Sequence, residues 1–317
     1  MTPPPLAPHP PLFIVFNPGS GRHEGDPTRE RVDAACAAAG RRCEWFEIGR
    51  GRPVAQVAHQ AVRAALQARG IAVAVGGDGT LSAVAQAALP AGCAFGVLPQ
   101  GTFNYFGRDH GVPQELDEAV AALLAGHLEP VQAGQVNDRV FIVNASLGLY
   151  ARVLADREVA KQRFGRSRRV AAFSAVATLL RGVRNWRLRL RAGGQAHDVT
   201  TPTLFVGNNA LQFEQVGLAE ADDVERGALA VVALQPVGRA AMFGMLLRAA
   251  LGRLDDDPHV HSFATAALEV SNGAQARRVR VATDGELTWM TMPLRFRVAP
   301  QPLWLVKPPP ALEAERA

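Results

Sequence analysis

The sequence predicts an α/β unit followed by a predominantly β unit: an N-terminal Rossmann-like, doubly wound domain and a C-terminal antiparallel β-sandwich. Three observations carry this. Residues 71–75, I-A-V-A-V, are an uncharged run of β-branched residues and alanine, which reads as a strand buried on both faces, the kind found in parallel sheets covered by helices. That run stops at Gly76, Gly77, Asp78, Gly79 and Thr80, and Leu81 to Leu89 then has helix composition, so strand, glycine turn and helix follow in order. Beyond about residue 130 the helical periodicities give way to short alternating runs bounded by glycine, asparagine and proline, the mark of antiparallel strands.

Taken in order, residues 1–11, rich in proline, read as a disordered lead-in without the basic start and apolar core of a signal peptide. Leu12 to Phe16 is a buried-type strand that runs into Asn17, Pro18, Gly19, Ser20 and Gly21, and Thr28 to Ala39 is helical. Cys43 to Ile48 is a second strand, Pro53 to Gln67 a helix, and the 71–75 strand follows with its helix. Gly92 to Leu98 is a further strand ending in P-Q-G-T-F-N-Y-F at 99–106, and Leu116 to Gly126 a helix. The pattern βαβαβαβ specifies a parallel sheet, with three small polar loops at strand ends. After the boundary near residue 130, strands are expected at Val140 to Asn144, Trp186 to Arg191, Thr203 to Val206, Ala228 to Leu234, Ala267 to Ser271, Arg278 to Ala282 and Leu294 to Val298. Helices are expected at about 151–182 and 237–252.

The glycine turn at 76–80 is the chemical centre of the first half. Unpaired N–H groups and the positive end of the helix face such a turn, which makes it a phosphate site. Asp78 among them is unfavourable toward an anion unless a metal ion or a proton transfer uses it, which points to Mg²⁺ with a nucleotide. A tight βα turn with Asp78 as a cap accounts for the same residues, as a plain turn does for N-P-G-S-G. The lysines are Lys161 and Lys307, so no Walker-type phosphate loop exists, and phosphate charge must be met by backbone N–H groups, arginine and metal. Cys36, Cys43 and Cys93 are odd in number and lack metal-ligand spacing, which fits a reducing compartment.

Two features stand out in the second half. From Lys161 to Arg191 there are ten basic residues and no acidic one, flanking the apolar V-A-A-F-S-A-V-A-T-L-L at 170–180. Such a segment can lie in an anionic membrane interface; a core helix with arginine at its solvated ends fits equally. Nucleic acid is disfavoured by the shortage of aromatics. No uncharged run reaches the length of a membrane span, so any membrane contact is expected to be peripheral. Then V-A-T-D-G-E-L at 281–287 places Asp284 and Glu286 around one glycine, a hairpin signal that also sets two carboxylates on a tight turn. Phosphoryl transfer needs one carboxylate to orient or deprotonate a hydroxyl and another to orient it or bind metal.

N-P-G-S-G at 17–21, G-G-D-G-T at 76–80, P-Q-G-T-F-N-Y-F at 99–106, N-A-S-L-G at 144–148 and D-G-E at 284–286 resemble, in order, the diacylglycerol kinase catalytic-domain family, which includes sphingosine kinases and bacterial lipid kinases. The resemblance spans about residues 12–307. It implies an α/β nucleotide-binding domain at 12–130, completed by 299–307, a β-sandwich lipid domain at 131–298 with a tail at 308–317, and an ATP site in the cleft between the domains. Asn17, Ser20 and Gly21 would line the nucleotide. Gly76, Gly77, Asp78, Gly79 and Thr80 would hold its phosphates, with Thr102 and Asn104 completing the pocket. Glu286 would be the general base for the lipid hydroxyl, and Asp284 would orient it or contact Mg²⁺. The activity implied is ATP- and Mg²⁺-dependent phosphorylation of a lipid of diacylglycerol, sphingoid or ceramide type, by a cytoplasmic protein peripheral to the inner membrane face through the Lys161–Arg191 region. Leu211 to Leu218 is the expected rim of the lipid cleft.

Two departures from the family pattern are visible. Tyr105 stands where the G-T-x-N-D-F pattern has aspartate, and Arg226, in D-D-V-E-R-G at 222–227, where relatives carry an aspartate near a structural Mg²⁺, a site that does not carry over unless Asp223 or Glu225 substitutes. They keep open a lipid- or nucleotide-binding homologue with weak catalysis. NAD kinase, which shares G-G-D-G-T, is a lesser alternative because no G-S-T-A-type stretch follows.

Overall fold

A computed structural model of the 317-residue chain describes residues 2–18, 27–49, 51–149, 151–152, 184–273 and 277–309. The chain divides into two compact units, Met1–Ala133 with Ala299–Ala317, and Gly134–Val298.

The first unit is a six-stranded sheet flanked by helices. In chain order its elements are β1 (Leu12–Phe16), α1 (Thr28–Ala38), β2 (Cys43–Glu47), α2 (Val54–Ala68), β3 (Ile71–Gly76), α3 (Asp78–Ala91), β4 (Ala94–Pro99), α4 (Tyr105–Asp109), α5 (Leu116–Ala125) and β5 (His127–Val131). The last strand of the chain, β18 (Leu303–Lys307), inserts between β4 and β5, giving the order β2-β1-β3-β4-β18-β5, parallel throughout except for the β18–β5 pair. Every residue of β3 and β4 is buried, because α2 packs with α3 and α1 with α5 around this sheet, and a strand with no solvent face can carry no alternation. Helix α3 is almost entirely buried as well, which is why its sequence is alanine-rich and of weak amphipathic pattern. Residues before β1, expected to be a disordered lead-in, make ordered contacts: the Ala7 N–H donates to Arg69 O at 2.9 Å and Arg41 Nε to Pro10 O at 2.7 Å.

The second unit is a sandwich of two six-stranded antiparallel sheets. Its strands are β6 (Gly134–Val136), β7 (Arg139–Phe141), β8 (Asn144–Gly148), β9 (Trp186–Ala192), β10 (Gln195–Thr201), β11 (Thr203–Gly207), β12 (Leu229–Leu234), β13 (Val260–Thr265), β14 (Ala267–Ser271), β15 (Arg278–Thr283), β16 (Glu286–Thr291) and β17 (Leu294–Val298). One sheet runs β10-β9-β14-β17-β6-β7, the other β13-β12-β11-β8-β15-β16. Their facing sides form one core that includes Phe141, Leu147, Leu188, Leu190, Val231, Val281 and Phe296. Burial of each such side chain is worth about 1.5–3 kcal/mol. Short helices α6 (Ala210–Glu214) and α7 (Ala221–Glu225) cover the outer side of the second sheet through Phe213, Leu218 and Val224, and α8 (Arg239–Ala250) follows β12.

Several sequence expectations need correction. The strand expected at 140–144 is interrupted at Ile142 and Val143, whose N–H groups go to the Asp284 carboxylate instead of a ladder. Strand β10 is polar and exposed at the end of its sheet, so it shows no apolar alternation to read. Of the basic block, residues 161–183 and the helix expected there lie outside the described residues. Its remainder is β9, with Leu188 and Leu190 turned into the core and Arg187, Arg189 and Arg191 outward. Arg189 binds Asp198 with two bonds of 2.7 and 2.9 Å, and Arg191 approaches Glu269 at 3.7 Å, so part of the apparent charge excess is neutralised by carboxylates on the neighbouring strands β10 and β14. Among the described residues no helix is long and apolar enough to cross a membrane.

Candidate active site

In the first unit, three loops leave the carboxyl ends of neighbouring parallel strands β1, β3 and β4, the position at which open α/β sheets bind ligands. Asn17 closes β1, donating its N–H to Val75 O at 3.4 Å; Ser20 and Gly21 lie outside the described residues. The β3 and β4 loops are tied together by the Gln100 N–H on Gly76 O at 2.8 Å. They also meet backbone to backbone. A Cβ at Gly101 would stand 2.8 Å from the Gly77 Cα and 2.5 Å from the Asn104 Oδ1, and one at Gly76 would stand 2.7 Å from the Thr80 hydroxyl. Glycine is required here by contact between the loops.

Gly77, in extended conformation, is the N-cap residue of α3, and its carbonyl accepts from the Thr80 and Leu81 N–H groups. Asp78 and Gly79 therefore occupy the first turn, where helix N–H groups lack intrahelical acceptors. The Asp78 carboxylate is directed at a second helix N-terminus: its Oδ1 lies 3.5 Å from the Phe106 N–H in α4. Burial pushes its pKa up, against the lowering effect of the N–H groups of Phe106, Tyr105 and Asn104. The cap reading of Asp78 thus applies to α4. Asn104, buried and left-handed at φ +49°, begins that helix; its Oδ1 accepts from the Gly101 N–H at 2.7 Å and its Nδ2 donates to Gln114 at 2.9 Å. Asn104 consequently shapes the loop from within, whereas Thr102 beside it is exposed. Tyr105, in place of the family's aspartate, stacks on the exposed Phe103 ring with centroids 5.7 Å apart and planes 6° from parallel.

In the second unit, Asp284 and Gly285 are the two central residues of the β15–β16 hairpin, both at positive φ (+47° and +86°), the geometry of a type I′ turn. The Asp284 carboxylate is buried. It accepts the N–H groups of Ile142 at 2.8 Å, Val143 at 2.9 Å and Asn144 at 2.9 Å, while the Asp284 N–H donates to Asn144 O at 2.9 Å. Asp284 therefore ties the hairpin turn to the β7–β8 junction. The next carboxylate, Glu286, is half-buried and receives Arg139 Nη2 at 2.6 Å. Asn144 Nδ2 donates to Gln212 Oε1 at 3.0 Å, while Asn144 Oδ1 and Ser146 Oγ are buried with no partner among the described residues. In the segment expected to form the lipid rim, Phe213 and Leu218 are spent on the unit's own packing.

Among the described residues no group of three or more His, Cys, Asp or Glu side chains could hold a metal ion. Mg²⁺ commonly uses only one or two carboxylates together with substrate phosphates, and Asp78, a single carboxylate in the first turn of α3 beside the glycine turn, fits that mode. The structural Mg²⁺ site that the resemblance implies would need Asp223 or Glu225 in place of the aspartate that Arg226 replaces, and Arg226 Nη2 donates to Asp223 at 2.8 Å.

Sequence reasoning found the glycine turns and both carboxylates of D-G-E but missed Arg139, Asn144 as a side chain, and Gln212. The N-A-S-L-G motif was the available signal for Asn144. Nothing local marks Arg139, whose partner is 147 residues away.

An α/β unit with glycine turns at parallel strand ends, together with an antiparallel two-sheet unit carrying a pinned D-G-E hairpin, defines the two-domain fold of diacylglycerol-kinase-like proteins. The family described as the diacylglycerol kinase catalytic domain matches residues 11–136, and the YegS C-terminal NAD kinase beta sandwich-like domain matches residues 144–307. The chain belongs to the diacylglycerol kinase catalytic-domain family. A curated relative named diacylglycerol kinase, from Staphylococcus saprophyticus subsp. saprophyticus, is 31% identical over 142 residues, 44% of this chain and 46% of that protein. One named "Probable lipid kinase YegS-like", from Klebsiella pneumoniae, is 38% identical over 78 residues, 24% of this chain and 26% of the relative. The chain thus spans less than half the length of the curated relatives it matches. A crystal structure titled as a diacylglycerol kinase from Bacillus anthracis str. Sterne shares the fold at TM-score 0.68 and 16% identity, covering 95% of this chain and 98% of that one.

Proposed function

We propose that the protein is an ATP-dependent lipid kinase that transfers the γ-phosphoryl group to a hydroxyl of a diacylglycerol-, sphingoid- or ceramide-type lipid. The observation that carries this reading is the Asp284-pinned hairpin that presents Glu286 beside Arg139 in a chain of this family. The loops at Asn17–Gly21, Gly76–Thr80 and Gln100–Asn104 bind the nucleotide, with first-turn N–H groups of α3 directed at its phosphates. Asp78 would hold Mg²⁺ together with the nucleotide, and the ion would supply neutralisation of phosphate charge. Glu286 accepts the proton of the attacking lipid hydroxyl as the oxygen–phosphorus bond forms, and ADP leaves. Arg139 fixes the direction of the Glu286 carboxylate, and Asp284 holds the turn that carries it; both are positioning residues. Such a protein would work at the inner face of a membrane without spanning it.

The test is transfer of labelled γ-phosphate from ATP with Mg²⁺ to micellar diacylglycerol, monoacylglycerol, sphingosine, ceramide and phosphatidylglycerol, with NAD as a separate acceptor and Glu286→Gln as the blank. A labelled lipid absent from the blank is the expected result. ATP binding with no labelled lipid would overturn it in favour of a non-catalytic binder, the reading that the Arg226–Asp223 pair favours. Labelled NAD would overturn it in favour of NAD kinase.

A further inference from the structure

One rim of the second unit carries two tryptophans held between arginines. Arg278 and Arg280 lie over the Trp289 ring at 5.6 and 5.1 Å, and Arg184 and Arg277 over the Trp186 ring at 5.3 and 5.2 Å. Arg277 and Arg278 are consecutive in the chain, one over each ring. On β15 the alternation turns Val279 and Val281 into the core and Arg278 and Arg280 outward, with Arg280 directly opposite Trp289 on β16. Trp289 is 53% exposed. All four arginines are exposed, and none is paired with a carboxylate among the described residues. Arg189, Arg191 and Arg295 of the same unit, by contrast, have Asp198 or Glu269 as partners.

Strand β16 ends its sheet, and charge on an edge strand discourages pairing with another chain. That purpose is served by the arginines alone and is opposed by a half-exposed tryptophan. Tryptophan flanked by cations is instead the composition favoured at the boundary between lipid headgroups and hydrocarbon, where the ring is apolar, its N–H finds water, and guanidinium groups meet phosphates. Each cation also stays over its ring face, an arrangement that remains attractive as water is removed.

We propose that this rim docks the second unit on an anionic bilayer, with Trp289 at headgroup depth and Arg184, Arg277, Arg278 and Arg280 on lipid phosphates. The inference rests on the lipid-kinase reading only in preferring a bilayer to an acidic protein. It is tested by flotation of the full chain with vesicles of phosphatidylcholine alone and of equimolar phosphatidylcholine and phosphatidylglycerol, with thermal midpoints to confirm folding. The expected result is binding to the anionic vesicles only, weakened roughly thirty-fold in the Arg278→Gln/Arg280→Gln variant. Trp289→Ala weakens it on the order of tenfold, and Arg295→Gln, on the other sheet, leaves it unchanged. Wild-type protein that ignores anionic vesicles, or folded variants that bind as wild type does, would overturn the proposal. So would concentration-dependent self-association that Trp289→Ala abolishes in protein that does not bind vesicles. Phosphoryl transfer to the detergent-dispersed lipid panel, followed in parallel, separates the two ideas: vesicle binding without transfer to any lipid of the panel sinks the kinase reading alone, and transfer without vesicle binding sinks the docking surface alone.

Discussion

Asp284→Asn removes a charge from the centre of the second unit's site while sparing the backbone, because asparagine is tolerated in the left-handed region that φ +47° requires. In the native protein Oδ1 accepts from Val143 and Asn144 and Oδ2 from Ile142, all within 2.9 Å. The better orientation of the new amide keeps its oxygen on Val143 and Asn144 and sets its NH₂ against the Ile142 N–H, donor facing donor. One lost charge-assisted bond is worth about 1.5–3 kcal/mol, and a buried N–H left without an acceptor about 1–3 kcal/mol. With some relaxation the variant should lose about 3–5 kcal/mol, a fall in thermal midpoint near 10 °C at roughly 2–4 °C per kcal/mol. Denaturant titration gives the free energy, and amide hydrogen exchange gives its location: Ile142 should lose protection more than Val143 or Asn144. A shift below about 1 kcal/mol with Ile142 still protected would refute the assignment of Asp284 as the clamp of the β7–β8 junction.

Three further outcomes are expected. Glu286→Gln should lower turnover on the order of 10²–10⁴-fold, with stability within about 0.5 kcal/mol of wild type, and Arg139→Gln should lower kcat with little change in KM; both are read in the labelled-phosphate assay alongside denaturant titration. Gly101→Ala should reduce turnover on the order of 100-fold and weaken ATP binding measured calorimetrically, since its Cβ would meet the Gly77 backbone and no flexible side chain end is available to yield there. Burial, with a smaller effect from Lys307, pushes His110 down to about 4, so the folded state resists its protonation. That stability is complete above the ordinary histidine value near 6.5 and is lost as pH falls toward 4, by at most about 3 kcal/mol; His110→Asn should flatten the slope of stability against pH in that window.

The first unit was legible because its signals are local. A buried parallel strand is a short apolar run, a βα turn is a cluster of glycines, and each lies within a dozen residues of the helix it feeds. Tyr105 and Arg226 could be flagged from sequence, but their consequences, a stack on Phe103 and a pair with Asp223, required coordinates. The second unit was legible only in its inward-facing strands. Strand β10 carries an exposed polar face and β16 a half-exposed tryptophan at sheet ends, where little burial imposes alternation, and the strand expected at 140–144 broke because a carboxylate some 140 residues away took its N–H groups.

By itself the sequence determined the fold class, the order of the strands that feed glycine turns, and the identity of Asp78, Asp284 and Glu286 as carboxylates on tight turns, because backbone preference and hydrophobic period act over a few residues. Tertiary structure decided what those carboxylates face. Asp78 meets the start of α4, Asp284 a junction of two strands, Glu286 the guanidinium of Arg139, and Trp289 a pair of arginines across an antiparallel register. The reason is physical: hydrogen bonds and ion pairs act over about 3 Å in space, and the pairing of strands, which brings residues 147 positions apart into contact, leaves no mark at either position in the chain.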